Sequence, residues 1–513
     1  MKKILIPVIA TVFLLGLIAC NNSGSTSTAN GTVAISMFYP DNPTLPYVET
    51  WSAFTQTSKN ANLDVTIEPI PTAEYSTVVS LALNTGRNLP DVLMYMNTAG
   101  ENASLALNGA VVPISDYSEW TPNMNAFIEK FGIQDEIDAL RLEDGKLYYM
   151  PMIYDAPTYD EGLIMRADFV ERAGFGTPTT LDDLYNILKA YKAENPSSYP
   201  LTSWVFTSIT TRMLMPAFGV SFGGGSSSGS YVLSYDYDTD QYFAGAISNQ
   251  AREFFRYMHK LYAEGLYDPE VSNGDGATAK IVNGSAIATY AWYDQISGFE
   301  AASEIEGYDL KMYLPLEGPA GAYHMEKSFT GNGLMFPIAI TKRNDFEQIV
   351  RGIDAMFYSE ENAKIWSIGV EGESYTMDGD TIVYKDEIVN SKDGIYKTLQ
   401  VLYGAGSNGS QAVWENELLL TKYNDEFAVL NADIKALEGG NSIQPKPPTP
   451  LWDETEAEDV NFLRTPLQDA VTVWIDAFIT GSKSVETDWN EYVTTMENLG
   501  IQEYLDLYND NLR

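Results

Sequence analysis

Short apolar runs rich in β-branched residues alternate, along the first third of the chain, with stretches whose apolar positions recur every three to four residues. The run 33–38 (Val-Ala-Ile-Ser-Met-Phe) predicts a core strand. A helix over 48–55, a strand over 65–70, a helix over 74–83 and a strand within 89–97 follow. This strand–helix alternation predicts a mainly parallel sheet. The loop 39–43, with Tyr39 and Asp41, and the strand end carrying Tyr95 and Asn97 then fall at carboxyl ends. Open α/β sheets bind ligands there.

A second pattern spans 145–191. Two apolar, β-prone segments, 145–154 and 162–169, flank the polar bend 155–160, with Tyr154 at its start. Ala173-Gly174 predicts a helix stop. Thr180, with Asp183 three residues on, predicts a capped helix whose apolar face is Leu181, Leu184, Tyr185, Leu188 and Tyr191. Further on come a helix over 250–266, a strand over 284–293 carrying Tyr290, Trp292 and Tyr293, a strand over 334–341 and a helix over 346–358. A Pro-rich surface segment at 444–450 precedes closing helices over 488–512.

The N-terminus sets the compartment. Lys2 and Lys3 precede an apolar run from 4 to 18, the shape of a signal peptide and too short for a membrane-spanning helix. The run ends Leu17-Ile18-Ala19-Cys20, and Cys20 is the one cysteine of the chain. This resembles the bacterial lipobox, which implies acylation of Cys20, a membrane anchor and no disulfide. Residues 21–31, rich in Asn, Ser, Thr and Gly, read as a linker.

Charge narrows the partners. With 31 Lys and Arg against 70 Asp and Glu, the formal charge is −39, and removal of Lys2 and Lys3 would make it −39 − 2 = −41. Nucleic acid is excluded as a partner, since its binding needs cationic side chains on phosphates. Two histidines, His259 and His324, exclude a multi-histidine metal site.

Four motifs invite chemistry and lack its context. Gly404–Gly409 fits GxGxxG but follows a helical stretch, where a strand is required. Gly225-Ser226-Ser227-Ser228-Gly229 fits a nucleophile elbow but lies inside a Gly/Ser-rich loop. Asp236-x-Asp238-x-Asp240 opens like a calcium loop, yet Gln241 and Ile247 stand where Gly and Glu are needed, so it reads as a turn. Paired carboxylates for glycoside hydrolysis are abundant, and no motif singles a pair out. No metal and no cofactor is expected.

The order of these pieces resembles the bacterial extracellular solute-binding proteins, family 1, in their long lipoprotein branch. The resemblance rests on Leu89-Pro90-Asp91-Val92, the hinge-like 145–190, Gly265-Leu266-Tyr267-Asp268-Pro269, the strand ending at Trp292, Leu314-Pro315-Leu316-Glu317-Gly318-Pro319 and Ile368–Tyr375. Many long-branch relatives carry a calcium loop where this chain has Pro196–Leu201, and its carboxylates are absent here. The resemblance implies an α/β fold of two lobes, periplasmic-binding-protein-like (type 2), joined at hinges. It implies a signal peptide over 1–19, a lipidated linker over 20–31, a first lobe over 32–152 and about 310–345, and a second over 153–309 and about 346–513. The C-terminal helices would be able to cross back. It also implies a monomer exported and lipid-anchored to the cell membrane, which captures a neutral sugar or oligosaccharide and delivers it to an ABC transporter permease. The expected ligand-binding residues are Tyr39, Asp41, Tyr95, Asn97, Tyr154, Trp204, Tyr290, Trp292, Tyr293, Asp294, Glu371 and Trp414, since flat rings cover sugar C–H faces and polar groups take hydroxyls. The alternative from another class is a surface glycoside hydrolase or lyase.

Overall fold

The computed structural model describes residues 31–43, 45–98, 101–154, 161–203, 214–222, 232–271, 276–293, 295–325, 330–379, 381–389, 391, 395–406, 412–413, 443–444, 447–448, 450 and 452–512. In chain order the strands are β1 (Val33–Asp41), β2 (Leu63–Pro71), β3 (Val92–Met96), β4 (Met150–Tyr154) and β5 (Glu161–Arg166). There follow β6 (Ser234–Asp236), β7 (Gln241–Phe243), β8 (Ala288–Trp292), β9 (Leu310–Tyr313) and β10 (His324–Met325). The last are β11 (Thr330–Met335), β12 (Tyr375–Asp378), β13 (Thr381–Tyr384), β14 (Ala412–Val413) and β15 (Ile443–Gln444).

Two separate cores form on two sheets. The first sheet has the order β14-β4-β11-β3-β1-β2. β1 runs parallel to β2 and β3, β11 antiparallel to β3 and β4, and β14 parallel to β4. The carboxyl ends of β1, β2, β3, β4 and β14 therefore share one edge with the amino end of β11. Met37, Leu93, Met150 and Leu334 are buried in its core, each worth roughly 1.5–3 kcal/mol of apolar burial. The helix Phe346–Tyr358 and the helix Glu360–Ile368 pack into the same core through Ile349, Ile353, Phe357 and Trp366. Residues 346–368 thus belong with the first sheet, where the sequence pattern assigned 346–513 to the second lobe. An amphipathic helix states that it has a buried face, not which sheet that face meets.

The second sheet, β8-β5-β9, is antiparallel. β9 lies in it beside β5, so 310–313 belongs here and not with the first lobe, as was expected. One face packs on the helices Leu181–Glu194, Asn249–Ala263, Trp489–Asn498 and Ile501–Asp510. The Leu181–Glu194 helix starts on the capping box seen in sequence: Asp183 N–H donates to Thr180 Oγ1 and Thr180 N–H to Asp183 Oδ2, both at 3.0 Å. Such a cap contributes about 1 kcal/mol.

The longest helix among the described residues escaped the sequence pattern. The 27-residue helix Glu454–Thr480, with Pro466 inside it, opens on an Asp453–Glu456 capping box. Its Leu467, Ile475 and Phe478 join the second core, and it also touches Glu101–Leu107 beside the first sheet. It braces one sheet's helices against the other's.

Candidate ligand-binding cleft

The chain leaves the first sheet at Tyr154, the end of β4, and enters the second at Glu161, the start of β5. Seven Cα steps span at most about 25 Å, so these two sheet edges face the same crossing. The return path runs from Tyr313, the end of β9, to Thr330, the start of β11. Tyr154 and Thr330 on the first sheet, and Glu161 and Tyr313 on the second, are therefore the strand ends at which the chain crosses between the sheets.

On the first edge the backbone is irregular. Tyr95 has φ +59 and is 44% exposed. A bulky side chain at positive φ costs on the order of 1–3 kcal/mol, and such residues cluster at ligand clamps. Asn97 Nδ2 donates to Asn332 Oδ1 at 2.6 Å, tying β3 to β11, and Asn102 Nδ2 donates to Asn97 O at 3.0 Å. Thr330 Oγ1 donates to Glu136 Oε2 at 3.4 Å. β11 shifts register against β4 between Gly331 and Leu334 and against β3 between Gly333 and Met335. A Cβ on Gly333 would stand 1.8 Å from Met150 O, so only glycine lets the strands approach there; one on Gly331 would stand 3.5 Å from the Tyr154 ring and hydroxyl. The outcome is a strip of amides, hydroxyls and a carboxylate beside a projecting tyrosine.

The second edge is regular. Trp292, 37% exposed, pairs with Glu161, which is buried at 8% exposure. Nearby, Gln295 Oε1 is buried without a hydrogen-bond partner. Burial, with Asp309 and Glu171 adding to it, pushes the Tyr313 phenol up to about 12, which keeps it a neutral hydrogen-bonding group. None of the strand-end residues at either edge is Lys or Arg.

The expected site residues separate into groups. Tyr95, Asn97, Tyr154 and Trp292 lie at the two edges. Asp41 ends β1 at the first edge, where its Oδ1 accepts from Tyr47 N–H at 2.7 Å. Tyr39 does not face the cleft: it is 1% exposed, with Tyr47 at 5.4 Å and Phe54 at 6.1 Å between ring centroids. Tyr290 is likewise core at 3% exposure, and Tyr293, at 8%, joins a cluster with Ile164, Ala291 and Phe299 on the other sheet face. Strand alternation turned these three rings inward. Glu371 is exposed and bridged to Tyr375 beside the β12–β13 hairpin. Trp204, Asp294, Trp414 and Cys20 lie outside the described residues. Asn332, Thr330, Glu136, Glu161 and Gln295 were missed; the Gly-Asn-Gly triplet inside an apolar strand was the one available signal.

The motifs without context also find their places. Asp236–Asp240 forms the turn from β6 to β7, with Asp238 N–H donating to Asp236 Oδ1 at 2.9 Å. Gly404 follows the helix Ile395–Tyr403 and lies against the Trp51 ring, where an added Cβ would stand 2.8 Å from the ring atoms.

Residues 51–413 match the family described as bacterial extracellular solute-binding protein. The chain belongs to this family. Among curated relatives of this solute-binding protein, Lipoprotein LipO of Bacillus subtilis is 22% identical over 438 residues, covering 81% of this chain and 78% of its own. The fructooligosaccharide ABC transporter substrate-binding protein FusA of Streptococcus pneumoniae is 21% identical, covering 82% and 79%. Among solved structures, the alginate-binding protein AlgQ2 without calcium ion superposes with a TM-score of 0.74 at 19% identity, covering 93% of this chain and 97% of that one. An extracellular solute-binding protein from Bifidobacterium longum subsp. infantis gives 0.73 at 16% identity, covering 94% and 98%. The fold is therefore the two-lobed α/β architecture of solute-binding proteins, as the sequence implied.

Proposed function

We propose that the protein is a membrane-tethered, monomeric substrate-binding lipoprotein, acylated at Cys20, that captures a neutral saccharide or oligosaccharide between its lobes and hands it to an ABC transporter permease. It binds without turnover. The observation that supports the reading is that the strand ends on either side of the crossing are unlike: one carries an exposed indole, Trp292, and the other a strip of Tyr95, Asn97, Asn332 and Thr330. Apolar faces and hydroxyl rims are the two surfaces of a sugar ring, and clefts between domains are favoured sites for small ligands. The strand ends offer carboxylates and no cation, which favours a neutral sugar over a uronate. Closure of the two lobes would follow ligand binding, limited by how much better the closed state holds the ligand. The names of FusA, a fructooligosaccharide-binding protein, and of the polygalacturonan/rhamnogalacturonan-binding protein YtcQ support saccharide as the class.

Calorimetry and thermal shift with kestose, Man5GlcNAc, oligogalacturonate and a peptide pool test this, with chromatography of each mixture afterwards. The expected result is stabilisation by a neutral saccharide with no new product. Stabilisation by peptides alone, or release of shorter sugars, would overturn it.

A further inference from the structure

The helix Glu454–Thr480 turns Leu467, Ile475 and Phe478 into the second core and leaves its opposite side to water. That outer side carries Phe462 at 80% and Val473 at 66% exposure, the two most exposed large apolar side chains among the described residues. They stand eleven positions apart in sequence. At about 100° and 1.5 Å per residue they fall within ~20° of one line and about 16 Å apart along it. The exposed positions around them are Glu458, Asp459, Asp469 and Asp476, none of which has an ion-pair partner among the described residues. The helix as a whole holds six acidic residues and one basic, Arg464, which is half-buried. The helix Asn249–Ala263 differs, since its Arg252 and Arg256 both pair with Glu486.

A second feature falls at the same place. Pro466 lies inside the helix and has no N–H to give. The carbonyl of Phe462, four residues before it, therefore lacks its partner in the helical ladder. An open acceptor thus accompanies an exposed ring among unpaired carboxylates. The side chain that completes such a set is a planar cation, which donates to the oxygens while its flat face lies on the ring. Arginine has that form, and lysine does not.

The charge decides between occupants. A second copy would bring the same acidic face against itself across a two-fold axis, in a chain that carries −39. An anionic lipid surface repels the face for the same reason. A protein surface that sets arginine beside an apolar hollow matches both the carboxylates and the ring.

We propose that the outer face of Glu454–Thr480, centred on Phe462, docks an arginine-bearing external surface of the transporter permease. This rests on the transport reading above. Phe462 is the anchor, and Asp469 and the freed carbonyl hold the cation. Because the helix packs in the second core and also touches Glu101–Leu107 beside the first sheet, the docked partner sits on an element that meets both lobes.

The test pairs two measurements on the full-length lipoprotein. One is calorimetric affinity of the purified protein for kestose, Man5GlcNAc and oligogalacturonate, with urea unfolding. The other is uptake of whichever sugar binds, by cells carrying the transporter, per protein at the cell surface. The variants are Phe462→Ser, Asp469→Lys and Pro466→Ala, with Val383→Ser, at 47% exposure on β13, as the control. Sugar affinity is expected to hold in all four, and no urea midpoint to fall. Uptake is expected to drop about tenfold or more in Phe462→Ser and Asp469→Lys, and about threefold in Pro466→Ala, which restores the ladder N–H. Val383→Ser should leave it unchanged. Full uptake by Phe462→Ser and Asp469→Lys overturns the proposal and leaves the transport reading standing, as does an equal drop in Val383→Ser. A wild type that sediments as a dimer, with Phe462→Ser a monomer, gives the face to a second copy instead. Binding to phosphatidylserine vesicles that Phe462→Ser abolishes gives it to the bilayer. A wild type that binds sugar and supports no uptake removes the transport reading and the docking surface together.

Discussion

The two sheets arrive at their shared crossing by opposite means. The first distorts its backbone to present polar groups: Tyr95 sits at φ +59, and β11 slips register around Gly331-Asn332-Gly333. The second distorts nothing. Its ladder from Met165–Ala288 to Glu161–Trp292 is unbroken, and the last rung lies beyond the core. A polar, hydroxyl-reading surface needs side chains aimed along the sheet edge, which regular alternation does not provide. A flat platform needs a ring on a rigid strand, and alternation provides that directly.

The largest expected effect comes from adding one methyl group to each edge. In Gly333→Ala the new Cβ would meet Met150 O at 1.8 Å, a backbone atom in a paired strand that cannot step aside. A loss of about 4–5 kcal/mol in urea unfolding is expected. In Gly162→Ala the Cβ would meet Met312 Cγ and Sδ at 2.8 Å, the end of an adaptable side chain. The expected loss is about 1 kcal/mol. Equal losses would mean that the first edge is no more constrained than the second.

Next in size is a contrast within β8. Tyr290→Ala empties a site 3% exposed in the second core and should cost about 3–4 kcal/mol of stability. Trp292→Ala, two residues on and on the same face, is 37% exposed and should cost about 1–2 kcal/mol in unfolding, and weaken saccharide binding by about tenfold or more. If the two stability losses coincide, Trp292 is core and the platform reading fails.

That pair also shows what the chain makes legible. Period-two and period-3.6 patterns locate the strands β1, β3 and β8, the helix Phe346–Tyr358 and the Thr180 capping box, because those signals are local. The choice between Tyr290 and Trp292 depends on where the core ends, which is set by helices up to two hundred residues away. Tyr39 was misread for the same reason: Tyr47, Phe54 and the first core close over it. The helix Glu454–Thr480 was hidden by Pro466 and by the Pro-rich run before it. Asn332 was invisible because a polar residue beside glycine reads as a turn, until pairing shows that β11 bulges there; Glu136 was invisible because an acidic position in the helix Gln134–Ala139 gives no local sign that it meets Thr330.

The smallest effect is the sharpest test of the first edge. Tyr95 is held at positive φ where glycine would sit without strain, and its ring is 44% exposed. Replacing it with glycine removes little packing and releases a backbone penalty of on the order of 1–3 kcal/mol, offset by the greater freedom of glycine in the unfolded chain. Tyr95→Gly is therefore expected to raise stability by about 0.5–1 kcal/mol in urea unfolding while lowering saccharide affinity by about tenfold, or ~1.4 kcal/mol. A destabilised variant with unchanged affinity would show that the ring is a structural prop. It would leave the amide pair Asn97–Asn332 as the whole of what the first edge contributes, and the strained backbone would then have no link to binding. Stability gained at the expense of affinity ties the strain to the ligand, because a residue that weakens the fold and improves nothing else has no physical reason to be held there.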